Sequence, residues 1–169
     1  MRTLHLFPVA LLLCLMACNN GSEKTASSTD TTAAMSPDTT THAADTVKAI
    51  PPIPPVPAGA KVFFKNLKDG QSVKSPFKVE FGVEGMKVDT AGAIVAGSGH
   101  HHLLVNSEDS LSSGTVVPKD EKHIHFGKAQ TSTELTLPPG KYKLTLQFAD
   151  GIHRSYGSQL AATINVTVK

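Results

Sequence analysis

Three consecutive histidines, His100, His101 and His102, stand inside GSGHHHLLVN (97–106), and His123 and His125 flank Ile124 in KHIHFG (122–127). A sixth, His153, follows Asp150 in ADGIH (149–153). Neutral imidazole is a borderline ligand that suits divalent zinc or copper. A site built from it needs no thiol, and the chain has 2 Cys, Cys14 and Cys18, both near its start. The expected ligand set is His100, His102, His123 and His125, with His153 closing it from a loop. Asp150 or Glu121 would orient an imidazole from behind. Without a metal, the same cluster would repel itself below about pH 6.5 and act as a proton switch.

No catalytic set accompanies these residues, and no enzyme activity is expected. Ser98, Ser107, Ser110 and Ser112 lie in polar, turn-like stretches with no nucleophile elbow around them. The glycines of GSGHHH lack the lysine and following helix of a phosphate loop. No carboxylate pair suited to glycoside cleavage stands out.

The elements that must carry the histidines read as strands. Phe77, Val79, Phe81 and Val83 alternate with polar residues or glycine, as do Tyr142, Leu144, Leu146 and Phe148, and Ile164, Val166 and Val168. Period two with one apolar side marks a strand with one buried face. Shorter candidates are 61–65, 101–106, 123–126 and 133–137. Seven short strands among Gly and Pro predict an all-β fold, an immunoglobulin-like antiparallel β-sandwich. Pro139-Gly140 fits the middle of a type II turn with φ > 0 at the glycine, and Tyr142 sits where such sandwiches place a corner tyrosine.

Strand geometry then sorts the imidazoles. Ile124 and Phe126 face the core and turn His123 and His125 to the other side. Leu103 and Val105 take His101 inward and leave His100 and His102 together outside. Alternate residues on one face project about 6.5–7 Å apart along the strand, so two such pairs on neighbouring strands bring four rings together. The competing reading makes the domain a non-metal structural or protein-interaction module. His101 is then half-buried and hydrogen-bonded, and the others form a solvated polar face.

Upstream of the domain, residues 1–17 (MRTLHLFPVALLLCLMA) read as an export signal, too short and one-sided to span a membrane. Leu15-Met16-Ala17-Cys18 resembles a bacterial lipobox. That resemblance implies cleavage before Cys18 and a lipid anchor on its sulfur, with several acyl chains giving stable membrane attachment. Asn19 and Asn20 lack the aspartate resembling an inner-membrane retention mark, so the expected location is the cell envelope, at the outer membrane facing the periplasm. Residues 18–57 are rich in Thr, Ser, Ala and Pro with no aromatic residue and read as a disordered tether ending in the stiff PPIPPVP. The folded domain is expected over 58–169. After loss of Arg2 the 16 basic residues fall to 15 against 14 acidic ones, and no basic run suggests nucleic acid. The partners expected are the membrane, a metal ion and an unidentified envelope protein.

Together, GHHHLLVN, KHIHFGKAQT, LTLPPGKYKLTLQFADGIH and ATINVTV resemble a bacterial exported family, domain of unknown function family 4399, over about residues 61–168. The resemblance marks His100, His101, His102, His123, His125, Phe126, Gly127, Gln130, Thr131, Asp150 and His153. It implies supporting roles for His101, Gln130, Thr131 and Asp150. The chain departs from the family pattern after His153, where RSYGSQLAA replaces a Pro-rich stretch. HIHFG also echoes copper/zinc superoxide dismutases, but the cysteines of their disulfide are missing.

Overall fold

In the computed structural model, which describes residues 49–169, every run of alternating apolar residues becomes a strand. Nine strands follow one another: β1 (Lys61–Phe64), β2 (Gln71–Val73), β3 (Phe77–Glu84), β4 (Lys87–Val88), β5 (Ser98–Val105), β6 (His123–His125), β7 (Ser132–Leu135), β8 (Gly140–Ala149) and β9 (Ala161–Val168). The export segment, Cys18 and the tether as far as residue 48 lie outside the described residues. β2 and β4 were not expected, because two or three residues are too few to show a period.

The strands form a β-sandwich. One sheet has the order β1-β3-β7, and the other β2-β9-β8-β5-β4, with β6 also paired to β5. The expected antiparallel arrangement holds for the central pairs, but β2 runs parallel to β9 and β4 parallel to β5. Neither short strand is joined to its neighbour by a tight hairpin, so nothing forces them antiparallel. Between the sheets the side chains of Val79, Phe81, Leu103, Leu144, Leu146 and Phe148 are wholly buried. Their removal from water is the main stabilising term, about 1.5–3 kcal/mol for each such side chain.

The expected type II turn at Pro139-Gly140 is absent. Gly140 is not among the positive-φ glycines and opens β8. β7 and β8 belong to different sheets, so residues 136–139 cross between layers instead of reversing a hairpin. Tyr142 does make the corner contact, its hydroxyl donating to the Pro138 carbonyl at 3.1 Å.

Two features bear on the site. First, β5 is buried on both faces, because the stretch 106–122 covers its outer side and packs Leu111 and Val117 with Leu104 and Ala149. Second, residues 51–57, placed by the sequence in the tether, lie against the domain. Ile53 and Val56 pack on the core, and the Pro51 carbonyl accepts from Arg154 Nη1 at 2.7 Å.

Candidate metal centre

β5 and β6 are antiparallel, and their register sets His102 opposite His125. Residues two apart on a strand share a face, so His100 joins His102 and both lean toward β6. One ring nitrogen from each of His100, His102 and His125 lies within 4.8 Å of the other two. His153 approaches the group from the turn after β8, on the side of His125. Its Nε2 is 3.1 Å from Nε2 of His125, and Nε2 of His102 is 3.0 Å from Nε2 of His100. Ring centroids among the four are 4.7–5.9 Å apart. Ligand nitrogens about 2.0–2.1 Å from a tetrahedral ion keep roughly 3.3 Å between them, a few tenths more than these two contacts.

The turn that presents His153 is built by a carboxylate. Asp150 Oδ1 accepts from the backbone N–H of Ile152 and of Arg154, at 3.1 and 2.8 Å. Its Oδ2 accepts from Arg154 Nε at 2.8 Å and lies 2.7 Å from Nη2 as an ion pair. His153 itself adopts φ 72, a left-handed conformation uncommon for a residue with a Cβ. The loop before β5 closes over this turn, with Gly92 N–H donating to the Gly151 carbonyl at 2.7 Å. A Cβ on Gly151 would overlap the Ala93 carbonyl, so the approach requires glycine.

Burial keeps these rings neutral. It is the main cause that lowers His100 from 6.5 to about 4, with His153 and His125 adding repulsion. Burial, then His100, His125 and His153, bring His102 to about 2. His125 is lowered by burial, by His153 and by Lys119. At neutral pH each of these three rings therefore keeps a lone pair on one nitrogen. The cluster opens on a cleft of about 290 Å³ lined by His102, His125, His153, Val116, Val117, Pro118 and Lys119. The Nδ1 atoms of His100 and His102 are buried and meet no partner among the described residues. The orienting acceptor common behind a metal-bound imidazole is missing there, and ring-on-ring packing sets their orientation.

The remaining expected residues go elsewhere. His123 does not join the group. Its Nδ1 donates to Asp120 Oδ1 at 2.7 Å, and its Nε2 lies 3.2 Å from Ser107 Oγ and 3.5 Å from Glu108 Oε2. It faces the same side as His125 but stands opposite Leu104, two residues along the strand, and the nearby carboxylates capture it. His101 points into the core, edge-on to Phe81 and Phe148 at centroid distances of 4.8 and 4.9 Å. It is fully buried, and neither ring nitrogen has a hydrogen-bond partner among the described residues, so the half-buried, hydrogen-bonded histidine of the competing reading is not observed. Nor are His100 and His102 in solvent. Asp150 orients a turn and an arginine instead of an imidazole, and Glu121 is exposed. Gln130 accepts from Lys128 N–H within its own loop, and the Thr131 carbonyl accepts from Phe81 N–H, extending the pairing of β7 with β3. Neither touches the cluster.

Sequence reasoning missed Arg154 and the wall 116–119. Arg154 had a signal, the Asp-x-x-x-Arg spacing after β8. The wall had none, because nothing in TVVPKD announces which strand it covers.

No curated protein and no solved structure matches this chain. A family model does match residues 79–169, from β3 to the C-terminus, and so contains every histidine of the cluster. That is more than half of the chain, though it begins later than residue 61 and leaves out β1 and β2. The chain belongs to the family described as Domain of unknown function (DUF4399).

Proposed function

We propose that this domain binds one divalent transition metal ion, copper or zinc, through His100, His102, His125 and His153, as an envelope protein held to the membrane by lipid on Cys18. The observation that carries the metal reading is the convergence of Nε2 atoms in two pairs, at 3.0 and 3.1 Å, between imidazoles brought from two strands and a turn. A nitrogen-only set fits these ions better than magnesium or calcium, which prefer oxygen. The role is capture, delivery or sensing of the ion.

Calorimetric titration of the purified chain with Cu²⁺ or Zn²⁺ tests this. We expect one ion per chain, with stoichiometric binding lost in the His102→Ala/His125→Ala double variant. Affinity no greater than that of an unrelated control protein would remove the metal reading. The anchor is tested separately: Cys18→Ser should shift the protein from the membrane pellet to the soluble fraction.

A further inference from the structure

The charge around the cluster has a chemical consequence that rests on the metal reading above. All four ligands are imidazoles, and an imidazole binds a metal ion as the neutral ring. A bound divalent ion would therefore keep its full charge of +2 inside a partly buried site. The carboxylates that might offset it are already committed. Asp150 is paired with Arg154, and Asp120 and Glu108 are drawn to His123. The one charged side chain on the cleft wall is Lys119, which adds positive charge and has no carboxylate partner among the described residues. Uncompensated charge beside apolar walls is costly, and a bound cation is the largest local charge in such a site.

The cleft has the shape to relieve this. Val116, Val117 and Pro118 form its apolar side, opposite the rings of His102, His125 and His153. That wall is held in place by the cluster's own turn. Val117 N–H donates to the His153 carbonyl at 2.9 Å, and Ser155 N–H to the Thr115 carbonyl at 2.8 Å. The opening is thus preformed, and its volume of about 290 Å³ sits at the lower limit of small-molecule pockets, about 300 Å³.

We propose that the loaded site takes a small monoanion from solution as an additional ligand, such as a short carboxylate or a pseudohalide. One end of the anion sits on the metal, its charge is shared with Lys119, and its body lies against Val116 and Pro118. The site is therefore a ternary one, in which anion and metal stabilise each other's binding.

Azide is a suitable probe, because its bond to Cu²⁺ gives a charge-transfer absorption absent from either component. Copper uptake by the purified chain is first measured calorimetrically, and azide is then titrated into the loaded protein. The expected result is a saturating absorption band, competed by formate. Lys119→Ala should weaken azide about fivefold, the scale of one partly exposed ion pair, read against that variant's own copper affinity measured with no azide present. Copper uptake with no azide band, or a Lys119→Ala variant that binds azide as well as the parent, would overturn the anion proposal and leave the metal reading standing. Failure of copper uptake itself would remove both.

Discussion

At the scale of single residues, the buried imidazoles set the acid response of the metal-free protein. In an unfolded chain a histidine titrates near 6.5, whereas folding lowers His100 and His101 to about 4 and His102 to about 2. Above pH 6.5 neither state binds these protons and stability does not depend on them. As pH falls from 6.5 toward 4 the unfolded chain takes up protons that the folded one refuses, so stability drops by up to about 1.4 kcal/mol per pH unit for each histidine. Below about 4 the contribution of His100 and His101 levels off as they protonate in place. Urea midpoints in chelator at pH 7.5, 6 and 5 should therefore fall steeply, and a flat profile would contradict the burial of these rings. His101 supports a second expectation. Two unpartnered ring nitrogens in an apolar core carry a desolvation cost, so His101→Leu should stabilise the fold by about 1 kcal/mol and leave metal uptake unchanged. A lower thermal midpoint in that variant would mean that the ring has a partner.

At the scale of elements, the site is a matter of register. Sliding β6 by one residue against β5 would replace His125 opposite His102 with Ile124 or Phe126, and each would then face the wrong layer. Phe126 pins the register from beneath, packed against Phe81 at 4.8 Å. Gly127 pins it from the end of the strand, since a Cβ there would overlap the ring of His125. Gly127→Ala should weaken metal binding by about tenfold, the usual scale for disturbing a ligand's support, with a much smaller change in thermal midpoint. Calorimetry and thermal melts on the same sample separate the two effects. Much of this layer was legible in advance. Alternation in HHHLLV and HIHF correctly put His101 inward and His100, His102 and His125 together on the other face. Alternation could not show that the outer face of β5 is also covered, because the cover comes from the stretch 106–122, distant in pattern and without periodicity.

At the scale of the whole molecule, the Pro-rich stretch before β1 belongs to the domain's energetics. Ile53 and Val56 cover part of the core, and Pro51 takes a hydrogen bond from the arginine that also holds Asp150. A chain begun at residue 58 should therefore be less stable than one begun at residue 49, by about 1–3 kcal/mol from lost apolar burial and one charge-assisted hydrogen bond. Denaturant midpoints of the two chains measure this. Equal midpoints would mean that the segment only rests on the surface. Composition alone reads PPIPPVP as spacer, because proline-rich extended chain looks the same whether it is docked or free.

The amino-acid sequence by itself determined the class of the fold, the chief strands and the faces their side chains take, since period-two alternation is a local property of the chain. It also limited any metal site in the domain to nitrogen and oxygen ligands, because both cysteines precede it. Which histidines meet was decided only by the tertiary structure. His123 and His125 share one strand face, yet Asp120 and Glu108 hold the first, while the second meets His153 from a turn built by Asp150 and Arg154. Such choices depend on which loop lies over which strand, and residues distant in sequence leave no local pattern from which that can be read.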